Sequence, residues 1–180
     1  MANSFKLIII IGGAFVASAF ILFLLSNGLA TWSQTKTESG ETTFGLWRVC
    51  EFTGDENETP CFNILCPSEH LSSSTCAKIR AAGVFIAITC VFSGICGLLC
   101  IVYCAMSGDK KLRKLILTQK ILALASLVTG MIGVALGIAG TMGISSVPNL
   151  EIGDAAIIAI AAVVGNLIGA VTLVLAKPYF

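Results

Sequence analysis

GLWRVC, at residues 45–50, lies in a long polar segment between two apolar runs. Trp32 precedes this stretch and Cys61 follows it within the same polar segment. Residues 28–77 are the only part of the chain that is long and polar enough to fold as something other than a membrane helix or a short turn. We therefore expect the rest of the chain to anchor this loop.

The composition is typical of a membrane protein. The chain is 56% hydrophobic and 12% charged, with a mean hydropathy of +0.94, whereas about a quarter of the residues in ordinary soluble domains are charged. Four apolar runs are each long enough to cross about 30 Å of hydrocarbon as a helix. The first exceeds the apolar core of a signal peptide, about 7–15 residues, so we expect it to be retained. The predicted helices span residues 5–27, 79–105, 118–142 and 154–176.

Charge is distributed unevenly among the loops. The loop at residues 106–117 is rich in lysine and arginine, and short basic loops are strongly biased to the cytoplasm. The large loop at residues 28–77 is acidic, and the loop at residues 143–153 is short. Four crossings then place both termini in the cytoplasm and these two loops outside. We expect a multi-pass protein of the plasma membrane, in contact with the lipid bilayer.

Four cysteines lie in the predicted outer loop, where an oxidising environment favours disulfides. They allow three pairings, and the sequence alone does not choose among them. The pair Cys50–Cys61 is favoured because it closes a short loop, which leaves Cys66 with Cys76. The alternative is that one of the two pairs stays reduced.

The second predicted helix holds four more cysteines, at positions 90, 96, 100 and 104. Within lipid, a cysteine is most often a small apolar packing residue. Cys104 adjoins the basic loop and is a candidate for reversible palmitoylation. In the outer loop, Asn57 begins an acceptor sequence for N-glycosylation.

The sequence contains no pattern that indicates catalysis. Its single histidine, His70, excludes a histidine-based metal cluster, and there is no glycine-rich phosphate motif. The carboxylates lie in a polar loop, where a run of charge is usually a solvated surface. We expect no enzymatic activity, no cofactor, no metal and no nucleic-acid partner.

The two tryptophans of the large loop are predicted to lie in different surroundings. Trp32 directly follows the first helix, which is typical of an aromatic residue at the membrane interface. Trp47 follows Phe44 in a short aromatic and aliphatic cluster that favours a strand. A strand held by a disulfide at Cys50, with Trp47 toward the bilayer surface, would give an extracellular sheet a rigid base.

Together these residues resemble the W–GLW–C–C signature of the claudin, epithelial membrane protein and peripheral myelin protein superfamily, which includes the calcium-channel gamma subunits. Four helices with the large loop first, and an arginine opening the second helix, extend the resemblance over the whole chain. The residues that carry it are Trp32, Gly45, Leu46, Trp47, Cys50, Cys61 and Arg80.

The resemblance implies a membrane α-helical fold, a left-handed bundle of four transmembrane helices with a small extracellular β-sheet. The sheet would be built mostly from the first loop and tied by the disulfide corresponding to Cys50–Cys61. Cys66 and Cys76 are additional to the signature. We expect one claudin-like domain over residues 1–180.

The later helices carry features of close packing. Two GxxxG spacings, one in the third helix at Gly133 and Gly137 and one in the fourth at Gly165 and Gly169, allow helix backbones to approach. Packing within one bundle is favoured over an oligomer face. Asn166 is expected to form a hydrogen bond with another helix, or else to mark a functional site.

By resemblance, we expect assembly with copies and related proteins in the same membrane and on the neighbouring cell, forming a paracellular barrier or pore at cell contacts. Carboxylates lining such a pore would favour cations. The candidates are Glu51, Asp55, Glu56 and Glu58. The alternatives are an auxiliary regulatory subunit packed against a pore-forming channel or receptor, and a membrane organiser similar to the epithelial membrane proteins.

Overall fold

The computed structural model describes residues 2–37, 40–52, 60–64, 72–105, 112–144 and 149–176. Within these ranges the chain forms four long helices, and each contains a stretch long and apolar enough to cross a membrane. The prediction of a multi-pass membrane protein is supported. The helices are α1 (Ala2–Gly28), α2 (Ser73–Ala105), α3 (Leu112–Thr141) and α4 (Asp154–Leu175).

Two helices begin more than one turn before the positions that their apolar runs predict. α2 starts at Ser73 rather than residue 79, and α3 starts at Leu112 rather than residue 118. Hydropathy locates the apolar part of a helix, but backbone hydrogen bonding continues beyond the hydrocarbon. At α2 the Oγ of Ser72 accepts a hydrogen bond from the backbone N–H of Thr75 at 3.3 Å, which caps the polar first turn.

The helices pack in a ring in which α1 contacts α2 and α4, and α3 also contacts α2 and α4. Glycines lie where the helices meet. A β-carbon on Gly133 would lie 2.8 Å from the side chain of Ile86, and one on Gly169 would lie 2.7 Å from the side chain of Val16. The backbones therefore approach as closely as glycine allows. The interpretation as packing within one bundle is confirmed for Gly133, Gly137 and Gly169, whereas a β-carbon on Gly165 would lie 4.0 Å from the nearest side chain.

A polar contact joins α3 to α4 inside the bundle. The Nδ2 of Asn166 donates a hydrogen bond to the Oγ of Ser126 at 2.9 Å, and both residues are buried. The predicted hydrogen bond between helices is confirmed. The Oδ1 of Asn166 has no hydrogen-bond partner within the described ranges, so the amide is only half satisfied.

We expect Asn166→Ala to lower the free energy of unfolding by only about 0.5–1 kcal/mol, because hydrogen bonds between membrane helices contribute little net stability. The measurement is unfolding by sodium dodecyl sulfate in mixed micelles, followed by circular dichroism. Thr172→Ala is the control on the same helix, because the Thr172 hydroxyl donates only to Ile168 O, one turn earlier. Equal losses for the two variants would contradict a contribution from the Asn166–Ser126 contact.

A small antiparallel sheet lies at the end of the bundle where α1 ends and α2 begins. Its strand order is β4-β3-β2-β1-β5. The first four strands come from the large loop, and β5 comes from the short loop before α4. Residues 151–152 contain too few positions for the alternation that predicts a strand, so the sequence carries no signal for β5. The strands are β1 (Ser33–Thr37), β2 (Gly40–Phe44), β3 (Arg48–Phe52), β4 (Cys61–Asn63) and β5 (Glu151–Ile152).

Candidate functional site

Trp32 lies at the point where the sheet joins the helices. Its side chain is only 1% exposed. The indole Nε1–H donates a hydrogen bond to the carbonyl oxygen of Ser26 at 2.9 Å, in the last turns of α1. The ring lies against Gly137 of α3, where a β-carbon would overlap it. Trp32 therefore ties α1 to α3 directly beside β1.

The backbone of Trp32 connects the two loops. Its N–H donates to the carbonyl oxygen of Phe44 at 2.8 Å, and its own carbonyl oxygen accepts from the N–H of Gly153 at 3.0 Å. A β-carbon on Gly153 would overlap the carbonyl oxygen of Thr31, so this approach requires glycine. The ring of Trp32 is therefore buried between α1 and α3, whereas a tryptophan of the aromatic belt would face the lipid headgroups.

Gly45 and Leu46 form the turn between β2 and β3 and pack it against the helix bundle. The N–H of Gly45 donates to the carbonyl oxygen of Arg48 at 2.8 Å, which closes the turn. A β-carbon on Gly45 would lie 2.7 Å from the Cα of Ala30. Leu46 is buried in the same apolar cluster as Trp32 and Ile79 of α2. The turn is therefore packed against the ends of the helices.

Trp47 bridges α1 and α2 at their ends nearest the sheet. Its Nε1–H donates to the Oδ1 of Asn27 at 2.9 Å. Its ring packs on Gly83 of α2, where a β-carbon would lie 2.6 Å from the ring. The side chain remains 44% exposed. Trp47 therefore differs from Trp32, which is fully enclosed.

Disulfides hold the strands and the start of α2. Cys50 and Cys61 lie directly opposite each other on β3 and β4 and form a disulfide, which is the pairing favoured from the sequence. Cys76, in the first turn of α2, is also disulfide-bonded. Its expected partner Cys66 lies outside the described residues. In α2, three cysteines are buried thiols outside any disulfide, as expected for packing residues: Cys90, Cys96 and Cys100.

The strand register assigns the carboxylates to two faces, because side chains alternate along each strand. Glu51 lies opposite Thr42, on the face that also carries Phe44 and Val49. Glu41 lies opposite Lys36 on the other face. We call these the Glu51 face and the disulfide face. The charged residues of the disulfide face, which also carries Cys50 and Cys61, are Lys36, Glu41, Arg48 and Glu151.

The described residues bring together only part of the predicted site. Glu51 is exposed on β3, and Arg80 is exposed in the second turn of α2. Cys104 belongs to α2, but its side chain lies outside the described part of the chain. Glu151 was not predicted, since β5 has no sequence signal of its own. The predicted residues outside the described ranges are Asp55, Glu56, Glu58 and the glycosylation candidate Asn57.

Trp32 contacts Ser26 of α1, Gly137 of α3 and the backbones of Phe44 and Gly153 in the two loops. We call this set of contacts the joint, and its chemistry is structural. Within the described ranges, no group of three His, Cys, Asp or Glu side chains is placed to hold a metal ion. No protein-family model matches this chain, and no curated protein matches it either. Physically, the joint holds strands from two loops on the end of the helix bundle. Its residues act by packing and hydrogen bonding.

Proposed function

We propose that this chain is a claudin-like membrane protein that forms or organises contacts between cells. The observation that carries the proposal is the joint at Trp32, which binds both loops and holds a five-stranded sheet on the end of a membrane-spanning bundle. A sheet held in this way offers a rigid protein surface just outside the bilayer. The W–GLW–C–C resemblance supports the same assignment.

The proposed orientation places the sheet outside the cell. Four basic residues lie within residues 110–114, at or just before the start of α3, and α3 starts at the end of the bundle away from the sheet. Because basic loops are retained in the cytoplasm, the sheet end faces the extracellular space. The termini then lie inside, and the disulfides lie in an oxidising compartment.

The sheet offers surfaces for association with copies of the chain and with related proteins. Phe62 on β4 is 60% exposed, and β4 forms one edge of the sheet. Exposed apolar side chains at a sheet edge favour protein contacts. Side-by-side contacts in one membrane and contacts with the neighbouring cell would together produce a paracellular barrier or pore.

The proposal is tested by expressing the chain in cells that lack junctional strands and following its location, together with the electrical resistance and ion selectivity of the monolayer. Accumulation where two expressing cells touch, with altered paracellular conductance, is the expected result. Uniform staining of the cell surface with unchanged conductance would reject the junctional function.

If the junction contains a pore, we expect Glu51 to favour cations. Glu51 is exposed and lies opposite an uncharged threonine, whereas Glu41 lies opposite Lys36. Glu51→Gln should lower the ratio of sodium to chloride permeability about twofold, since one exposed charge contributes roughly 0.5 kcal/mol. Dilution potentials across the monolayer measure this ratio.

Glu41→Gln is the matched control for Glu51→Gln, because it makes the same chemical change on the disulfide face of the sheet. It should alter the permeability ratio less than Glu51→Gln. A larger effect at Glu41 would show that the disulfide face lines the pore, and the role of Glu51 would be withdrawn. The predicted contributions of Asp55, Glu56 and Glu58 are tested by the same substitution to Gln or Asn.

An auxiliary subunit of a channel or receptor is the second candidate function. Phe52 and Phe62 are both exposed on β3 and β4, and such side chains also suit contact with the extracellular part of a larger membrane protein. In this case the chain would co-purify with a pore-forming subunit, and it would not accumulate where expressing cells touch. The localisation experiment above therefore separates the two functions.

A further inference from the structure

An apolar groove of about 640 Å³ lies between α1 and α2. Small residues on both helices create it, because they leave the space between the helices unfilled. The two helices touch within the groove, where the Sγ of Cys100 occupies the place in which Gly13 would carry a β-carbon. The small residues that line the groove are Gly13, Ala14, Ala17, Gly94 and Gly97.

The groove opens toward the surrounding lipid. Leu98 and Ile101 on its α2 side are 63% and 66% exposed, and Ile10 on its α1 side is also exposed. These residues belong to the apolar spans that cross the membrane. The groove is therefore continuous with the lipid-facing surface of the helices, and water does not reach it in a bilayer.

The polar side chains that line the groove, within the described residues, are already hydrogen-bonded. The Oγ of Ser93 donates to the carbonyl oxygen of Thr89 at 2.7 Å. The Sγ of Cys100 donates to the carbonyl oxygen of Ile9 at 3.7 Å. Neither side chain needs a hydrogen-bond partner from a molecule bound in the groove. The chemistry of the groove thus fits a hydrocarbon chain without polar groups along its length.

The length of the groove matches one leaflet of a bilayer. Its lining on α1 runs from Ile10 to Phe20, a distance of about 15 Å at the helical rise of 1.5 Å per residue. The hydrocarbon of one leaflet is half of roughly 30 Å. A single acyl chain is therefore long enough to extend along the whole groove.

A basic residue stands at the membrane-surface end of the groove. Lys6 precedes Ile10 by four residues on α1, and Gly13 and Ala17 follow at spacings of three and four. These spacings place all four residues on one helix face. The sequence therefore places a basic residue at the level of the phospholipid headgroups, whose phosphates attract cations.

We propose that the groove between α1 and α2 binds one acyl chain of a phospholipid from the leaflet beside Lys6. The chain occupies the space left by the glycines and alanines, and the headgroup phosphate lies at the level of Lys6. The bound lipid thereby fills a contact between α1 and α2 that protein side chains leave open. This site does not depend on the junctional function.

The test uses the full-length protein in liposomes of phosphatidylcholine that contain a phosphatidylcholine with a photoactivatable diazirine in one acyl chain. After irradiation, mass spectrometry maps the labelled peptides. Label is expected on the groove residues of α1 and α2 above the level on α3 and α4. Ala14→Leu should reduce groove labelling at least about fivefold, because leucine takes the volume in which the acyl chain makes its dispersion contacts.

Ala135→Leu is the matched control, because Ala135 is exposed on α3 outside the groove. It should leave groove labelling unchanged. Gly97→Leu is a second groove variant, since a β-carbon at Gly97 meets only Ala17 at 3.5 Å or more. Gel filtration and circular dichroism establish that each variant is folded.

Three results would overturn the proposal. The first is label spread evenly over all four helices, or label that Ala14→Leu and Gly97→Leu do not reduce. The second is preferential labelling of the groove by a diazirine sterol that displaces the phospholipid probe. The third is a chain attached through a thioester at Cys104, seen as loss of the added mass with hydroxylamine.

Discussion

Trp32→Ala is expected to lower the free energy of unfolding by about 3–5 kcal/mol, the range for truncating a large buried aromatic side chain. The loss is large because Trp32 is 1% exposed and its ring fills the space beside Gly137. Its indole hydrogen bond to Ser26 is lost as well. Unfolding by sodium dodecyl sulfate in mixed micelles, followed by far-ultraviolet circular dichroism, measures the change.

Trp47→Ala is the matched control within the same motif. Trp47 is 44% exposed, so its removal exposes less new surface and creates a smaller cavity. We expect a loss of about 1–2 kcal/mol. If the two substitutions destabilise the protein equally, or if Trp47→Ala has the larger effect, Trp32 is not the centre of the joint.

Removing the Cys50–Cys61 disulfide, with alanine at both positions, should destabilise the sheet by about 3 kcal/mol, as estimated for closing a loop of this size. The two cysteines are separated by 11 positions and lie directly opposite each other on β3 and β4. The effect should be local. The N–H groups of Glu51 and Ile64, which bond to Pro60 and Trp47, should exchange with deuterium roughly a hundredfold faster.

The helices should be unaffected by loss of this disulfide, because their backbone hydrogen bonds lie within each helix. The helical circular dichroism signal is therefore expected to stay constant while exchange in β3 and β4 rises. Cys90→Ala is the control, since Cys90 is a free, buried cysteine of α2. It should not change exchange at Glu51 or Ile64. A general loss of helix in the double variant would contradict a local role for the disulfide.

The four helices were predictable because crossing a membrane imposes a length and an apolar composition that are visible in the sequence. The starts of α2 and α3 were not predictable in this way. Their first turns are polar, and at α2 the cap is a contact of the Ser72 hydroxyl with the Thr75 N–H. Hydropathy does not detect such a cap.

The candidate site was predictable only in part. The identity of Trp32, Gly45 and Cys50 as a related set came from their resemblance to a known signature, and the disulfide connects the cysteines that were favoured. The burial of Trp32 and the requirement for glycine at Gly153 were not visible. Both depend on contacts between segments that are more than a hundred residues apart. Trp32 packs on Gly137 of α3, and Gly153, in the short loop before α4, packs on Thr31.

The sequence by itself determined that the chain is a membrane protein with four helices and one large polar loop, because hydrophobic burial in lipid depends on composition along continuous segments. Only the tertiary structure decided which tryptophan is enclosed, that Glu51 and Glu41 lie on opposite faces of the sheet, and that a groove remains between α1 and α2. These properties arise where distant segments pack together. The physical reason is that the burial of a side chain, and the face of the sheet on which it lies, depend on how two surfaces pack together. A single stretch of sequence specifies only one of those two surfaces.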